Sequence, residues 1–176
     1  SDVYKRQEFH GKGRGRSGAA RQQDRYRPLG RPEVLKVLQS QDMLPAITFI
    51  FSRAGCDGAL YQCLRSRMVL TSQEEAQQIK DIVDAGVEGI PEEDLQVLDF
   101  KRWREALSRG FAAHHAGMLP AFRHIVEDLF VRGLVRAVFA TETLALGINM
   151  PARTVVLEKL IKSVSYTHLR AHETRH

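Results

Sequence analysis

Residue types that bind phosphate occur in three short segments of this sequence. Ser52-Arg53 follows the apolar run AITFIF, His115-Ala116-Gly117 follows GFAAH, and Thr141-Glu142-Thr143 follows VRAVFA. Hydroxyl, guanidinium and imidazole groups donate hydrogen bonds to phosphate oxygens, and a glycine lets a phosphate approach backbone N–H groups. Because the segments contain no paired nucleophile and base, they indicate a surface that grips a sugar-phosphate backbone.

Each of these segments follows a predicted strand. Short apolar runs with many branched or aromatic residues, typical of buried strands, occupy residues 46–51, 110–117, 135–141 and 152–160. Apolar residues at helical spacing occupy residues 32–42, 56–68, 71–84, 91–108 and 119–131. The alternation predicts an α/β fold with a doubly wound parallel sheet. Ligands bind such sheets at the carboxyl ends of the strands, so we expect the three segments to share one edge.

The sequence between the first two predicted strands is long for a crossover, at about sixty residues. Its part from about 71 to 109 is acidic, and the start of this part, TSQEE, resembles a helix capping box. We therefore expect an inserted pair of helices here. Phe100 and Trp103 are aromatic residues that can stack a nucleic-acid base, but their helical spacing favours packing into the core.

The net charge of +5 arises at the two ends of the chain. Residues 1–31 contain nine Lys or Arg and three acidic residues, whereas residues 32–162 contain fifteen and seventeen. The Gly/Arg-rich residues 8–31 are typical of an interdomain linker, and their GKGRGR string lacks the spacing of a phosphate-binding loop. Charge alone therefore does not indicate that residues 32–162, the predicted domain, bind nucleic acid.

The two ends of the chain differ in character from the rest. Residues 1–7 and 163–176 show no clear periodicity and resemble translated adapter sequence from DNA sequencing. We expect both segments to be non-native and exclude them from the predicted domain. The domain then lacks its last strands and helices, and we expect an edge of the sheet to be bare.

The two cysteines do not indicate a disulfide, and the histidine pair does not indicate a metal site. Cys56 and Cys63 lie on one face of a predicted helix, and no CxxC pair is present. We expect two reduced core thiols and a cytoplasmic protein. His114 and His115 point to opposite faces of a strand and lack a third ligand, so we predict no metal site. No apolar run reaches the length that spans a membrane, and no secretory leader is recognisable.

Three longer strings resemble the motifs of one family. FIFSRAGCD (49–57), AAHHAGMLP (112–120) and VFATETLALGINMPARTVV (138–156) resemble motif IV, the helicase segment after it and motif V of superfamily 2 DExH-box helicases. The closest resemblance is to the superkiller type of exosome-associated RNA helicases and their bacterial HelY-like relatives. It implies an incomplete second RecA-like domain, the helicase C-terminal domain of a P-loop NTPase.

The resemblance implies two groups of site residues. Contacts to the backbone of single-stranded RNA are implied for Ser52, Arg53, His115, Gly117, Thr141 and Thr143. An edge of the ATP site, next to the ribose, is implied for Gly147 and Asn149 in the back half of motif V. The alternatives are a surface role for Arg53 and a turn-stabilising role for Asn149 before Pro151.

The resemblance also implies what the rest of a motor must supply. The sequence contains no GxxxxGK[ST] loop, no DExH box and no QxxGRxxR motif, so no catalytic site is complete within it. The implied parent is an ATP-dependent RNA helicase that uses ATP with Mg²⁺, pairs with a first RecA-like domain and serves RNA-degradation machinery. We expect the chain alone to be inactive. The alternatives are an α/β nucleic-acid-binding module without motor function and a DNA helicase of the same superfamily.

Overall fold

The computed structural model describes residues 29–141, 150–160 and 167–173. In chain order the described elements are α1 Arg31–Ser40, β1 Ala46–Phe49, α2 Arg53–Arg65, α3 Gln73–Gly86, α4 Glu92–Leu98, α5 Phe100–Ser108, β2 Phe111–His114, α6 Pro120–Val131, β3 Ala137–Ala140, β4 Thr154–Leu160 and β5 Thr167–Glu173. The four strands β1 to β4 lie within the four predicted apolar runs. No helix of this described part is long and apolar enough to cross a membrane.

The strands form one sheet in the order β2-β3-β1-β4-β5. β2, β3, β1 and β4 are mutually parallel, and β5 pairs with β4 in the antiparallel sense. Every residue of β1, β2 and β3 is buried, which explains their continuous apolar runs. The α/β order and the parallel sheet confirm the predicted RecA-like fold class.

Strand β5 was not predicted. It lies within residues 163–176, pairs along all seven of its residues with β4, and forms the sheet edge beyond β4. Main-chain hydrogen bonds suffice to add a strand to an open edge, so such a strand needs little apolar periodicity in its sequence. The proposal that residues 163–176 are non-native stays a prediction.

The core joins the sheet to the helices between β1 and β2. Trp103 of α5 is 2% exposed, and its ring lies 5.1 Å from that of Phe122 on α6 and 6.1 Å from that of Phe100. Trp103 therefore packs in the core, as its spacing predicted. Cys56 and Cys63 are free and buried, and burial raises the pKa of each thiol to about 12.

Residues 73–108 form three helices rather than the predicted two. The sequence predicted one helix over residues 91–108, but Asp99 adopts left-handed backbone angles (φ 56°, ψ 61°) and separates α4 from α5. Aspartate tolerates this conformation better than most residues, and the apolar spacing on either side does not reveal it. The boundaries of the insert and of the whole domain stay predictions.

Candidate nucleic-acid interface

The carboxyl ends of three parallel strands lie level at one edge of the sheet. Ala140 at the end of β3 is in register with Phe49 of β1 and with His114 of β2. The ladder continues by one residue, since the Ile50 N–H donates to the Ala140 carbonyl over 2.8 Å. The segments that follow these strands therefore start side by side, as the parallel sheet predicted.

Ser52 begins α2 by capping it. Its backbone is extended, and its Oγ accepts a hydrogen bond of 2.8 Å from the Gly55 N–H. Because of this cap α2 starts at Arg53, three residues earlier than the Cys56 start that the apolar spacing predicted. The Ser52 hydroxyl keeps its own hydrogen for another acceptor and lies at the surface.

Arg53 lies against the loop that follows β2. A Cβ atom added to Gly117 would lie 3.2 Å from Cδ of Arg53 and 3.1 Å from Nδ1 of His115. The absence of a side chain at Gly117 thus lets this loop and the start of α2 approach each other. Arg53 is exposed, and among the described residues no carboxylate lies within ion-pair distance of its guanidinium. Its charge is available to an anion.

The His115 side chain stabilises the loop. It is 7% exposed, its Nδ1 accepts a hydrogen bond from the Gly117 N–H over 3.1 Å, and its Nε2 lies 3.0 Å from Oδ1 of Asp57. Nδ1 is therefore the acceptor, and the Nε2–H donates to Asp57. Both ring nitrogens are thus already used within the protein, and a contact between this imidazole and phosphate stays a prediction. A backbone contact from residues 115–117 stays a prediction.

His114 and His115 have different partners. His114 is 4% exposed, and its Nε2 lies 2.6 Å from Oε2 of Glu127 on α6, whereas His115 contacts Asp57 on α2. This divergence follows from the alternation of side chains along β2. Within the described ranges no three His, Cys, Asp or Glu residues are grouped as metal ligands.

Two residues of this edge were missed by the sequence analysis. Asp57 orients His115, and Arg123 lies in the first turn of α6, close after the loop. Nε of Arg123 is buried and has no hydrogen-bond partner among the described residues. The sequence offered two signals for these residues. Asp57 lies one helical turn after Arg53, and Arg123 lies three residues after the end of the AAHHAGMLP string.

Of the other predicted site residues, one lies at this edge and three lie outside the described residues. Thr141 directly follows β3 and is half-buried. Thr143, Gly147 and Asn149 lie outside the described residues, so the second nucleic-acid threonine and the ATP edge are not placed. The structure thus brings together Ser52, Arg53, His115, Gly117 and Thr141 of the predicted set.

Known proteins resemble most of this chain. It is 62% identical over 144 residues to the probable helicase HelY of Mycobacterium tuberculosis, covering 82% of this chain and 16% of that protein. It is 32% identical over 131 residues to the antiviral helicase SKI2 of Saccharomyces cerevisiae, covering 74% of this chain and 10% of SKI2. It is 33% identical over 124 residues to the exosome RNA helicase MTR4 of Mus musculus, covering 70% of this chain and 12% of MTR4.

The similarity extends over 70% or more of the chain in each of these comparisons. No protein-family model matches the chain. The chain spans about a sixth of the HelY protein and less of the other two. Identity at this level over more than 120 residues confirms the resemblance that the strings at 49–57, 112–120 and 138–156 indicated. The chain therefore belongs to the superkiller type of the superfamily 2 DExH-box RNA helicases.

Proposed function

We propose that this chain supplies backbone contacts to single-stranded RNA within an ATP-dependent RNA helicase. The observation that carries the proposal is the meeting of Ser52, Arg53 and Gly117 at the carboxyl edge of the sheet, with the Arg53 guanidinium free of an ion pair among the described residues. Such groups bind phosphates without reading bases. The relatives SKI2, an antiviral helicase, and MTR4, an exosome RNA helicase, support the same function.

The ATP-dependent part of the proposal rests on the family. Gly147 and Asn149 would form one edge of an ATP site between two RecA-like domains, and Thr143 would join Thr141 on the RNA backbone. ATP and Mg²⁺ would be held by the rest of the parent protein, since this sequence lacks the phosphate-binding loop and the DExH box that hold them. The first RecA-like domain is the partner that would complete this site.

The wider setting of the parent protein is also a proposal. The MTR4 relative is named as an exosome helicase, which supports a parent that works with RNA-degradation machinery. Two buried free thiols support a cytoplasmic parent, because disulfides are rare there. Binding of DNA in place of RNA is the competing function, since backbone contacts alone distinguish the two poorly.

The test is a titration of a fluorescent single-stranded RNA with the chain. Fluorescence anisotropy measures the binding at several salt concentrations. Arg53→Ala is expected to weaken binding about tenfold and to reduce the slope of log K against log salt by about 0.7, one phosphate contact on a single strand. The matched control Arg132→Ala removes an exposed arginine at the far end of α6, paired with Asp128, and should leave binding unchanged.

Two results would contradict the proposal. Equal losses for Arg53→Ala and Arg132→Ala would show that RNA responds only to net charge. Competition by a matched single-stranded DNA at equal concentration, with no preference for RNA, would favour the DNA helicase alternative.

A further inference from the structure

A cleft beside the proposed nucleic-acid edge is not used by the RNA contacts. It has a volume of about 570 Å³ and lies between α2, α4, α5 and the loop that joins β2 to α6. Its lining includes Asp57, Tyr61, Val97, Trp103, Gly117 and Leu119. His115 and Gly117 border the cleft on one side and the edge on the other, so an occupant of the cleft would lie next to bound nucleic acid.

The apolar part of this cleft lacks a covering element among the described residues. Helix α4 buries none of its seven residues, and its Val97 is 90% exposed, while Leu119 on the opposite rim is 45% exposed. Trp103 is 2% exposed, and its indole N–H has no acceptor in the described part of the chain. An apolar cleft with an unpartnered donor suits an occupant that carries both apolar groups and carbonyl oxygens, which is the chemistry of a peptide.

The charge of the cleft excludes nucleic acid and favours a basic occupant. Three carboxylates line it, from Asp57, Asp94 and Asp99, against the single guanidinium of Arg102. Arg102 is itself engaged, 4.2 Å above the Tyr61 ring and 3.4 Å from the Asp99 carboxylate. Phosphates would be repelled by this arrangement, whereas arginine side chains would be attracted.

A basic peptide segment of this chain ends close to the cleft. Residues 25–27 read Arg-Tyr-Arg, within a segment that carries nine Lys or Arg and three acids in residues 1–31. Arg31, at the start of α1, donates from Nη1 to Oε1 of Gln62 over 3.0 Å, and Gln62 is the neighbour of the cleft residue Tyr61 on α2. Three extended residues span about 10 Å, roughly the width of one helix, so residue 26 is within reach of the cleft.

We propose that the cleft binds the Arg25-Tyr26-Arg27 segment of the same chain, with the tyrosine ring on the apolar floor and the two guanidinium groups on the carboxylates. This contact fixes the Gly/Arg-rich linker to the surface of the domain, directly beside the proposed RNA contacts. It is independent of RNA binding, because it is made by groups that the RNA does not touch.

Disulfide trapping tests the contact in the full chain without RNA. Gln23→Cys, two residues before Arg25 so that Tyr26 is kept, is combined with Val97→Cys on the cleft rim. The control combines Gln23→Cys with Val131→Cys, which is 57% exposed at the far end of α6. Helix α6 places that control about 16 Å or more from the rim at Leu119. The native thiols do not compete, because burial raises the pKa of Cys56 and Cys63 to about 12 and few thiolates form at pH 8.

The expected result is a cross-link to position 97 that forms at least tenfold faster than the cross-link to position 131. Asp94→Asn with Asp99→Asn, or 0.5 M NaCl, should remove most of this preference by weakening the charge attraction. Equal rates at both positions would overturn the proposal, as would a preference that appears only when an RNA oligonucleotide is added. Failure of the Arg53→Ala test of RNA binding would leave this result unaffected.

Hydrogen exchange of the chain without added cysteines gives a second measurement if the cysteine variants misfold. Docking should slow exchange of the α4 amides, and Arg25→Ser with Arg27→Ser should return them to faster exchange while leaving α3 unchanged. Identical α4 exchange in both proteins would overturn the proposal.

Discussion

Gly55 lets the start of α2 pack closely, because it has no side chain. A Cβ atom there would lie 2.6 Å from Oγ of Ser52 and 2.7 Å from Cγ2 of Ile50, which is buried. Both distances are shorter than carbon–carbon or carbon–oxygen contacts in proteins allow. The glycine therefore permits the Ser52 cap and the close packing of Ile50 at the same time, and both lie at the proposed RNA edge.

Gly55→Ala is therefore expected to destabilise the protein. Loss of the Ser52 cap costs about 1 kcal/mol and overpacking at Ile50 about 1–3 kcal/mol, against a gain of about 1 kcal/mol in helix propensity. We expect a net loss of about 1–3 kcal/mol in the free energy of unfolding. Urea denaturation followed by emission of Trp103, the only tryptophan, measures it.

Gly58→Ala in the same helix is the matched control. Nothing lies within 4 Å of a Cβ at Gly58, so only the helix-propensity gain of about 1 kcal/mol applies and the variant should be more stable. If Gly55→Ala were also stabilising, the close contacts at Ser52 and Ile50 would not exist in solution.

For single residues, the sequence predicts which side chains lie at the sheet edge better than it predicts their hydrogen bonds. Ser52, Arg53 and Gly117 were assigned to the edge from strand ends and motif strings, and the structure places them there. The bonding of His115 was not predictable, because its partner Asp57 is 58 positions away in the sequence and on another element. Long-range side-chain pairing has no local pattern, so an exposed donor and a buried structural histidine look alike.

Helix α3 illustrates what an element-scale signal can predict. The TSQEE string predicted a capping box, and the Ser72 Oγ accepts from the Glu75 N–H over 3.1 Å while Glu75 Oε1 accepts from the Ser72 N–H over 2.9 Å. Glu75 also binds Arg136, which precedes β3, so the cap connects the insert to the sheet. That second contact has no signature in the sequence around Ser72.

Stability is expected to depend on pH through Glu75. The hydrogen bond from the Ser72 backbone, opposed by burial and aided by Arg136, lowers the pKa of the Glu75 carboxyl below its usual 4.5. A lowered folded-state pKa stabilises the fold above the unfolded-state value of 4.5, and this contribution is lost as the pH falls through the folded-state pKa. Glu75→Gln should therefore cost about 1 kcal/mol at pH 7 and progressively less toward pH 3.

Urea midpoints at several pH values measure this difference. Glu74→Gln is the control, because it removes an exposed carboxylate from the same first turn of α3. A cost of Glu75→Gln that is the same at pH 7 and pH 3 would show that the carboxylate charge adds nothing to the cap.

The break at Asp99 shows the limit of prediction at this scale. Apolar spacing continues through residues 91–108, and no glycine or proline interrupts it after Pro91. The left-handed Asp99 is set by how α4 and α5 pack against the rest of the fold, which local periodicity does not contain.

For the whole molecule, the motifs that the sequence lacks predict that this chain does not hydrolyse ATP. The resemblance implies that ATP hydrolysis needs groups from two RecA-like domains, and the sequence lacks the phosphate-binding loop, the DExH box and the arginine-bearing motif VI. We expect no release of phosphate from ATP above background, with or without single-stranded RNA. A phosphate-release assay that uses an intact DExH-box helicase as positive control measures this, and RNA-stimulated turnover by the purified chain would contradict it.

Removal of strand β5 tests whether residues 163–176 stabilise the domain. Removal of residues 163–176 exposes the seven-residue edge of β4, whose unpaired N–H and C=O groups can pair with other chains. We therefore expect a lower urea midpoint and self-association on size-exclusion chromatography. Removal of residues 1–7, the other segment predicted to be non-native, is the matched control and should change neither. An unchanged midpoint and a monomeric truncated chain would show that β5 pairing adds no stability, in agreement with a non-native residue 163–176 segment.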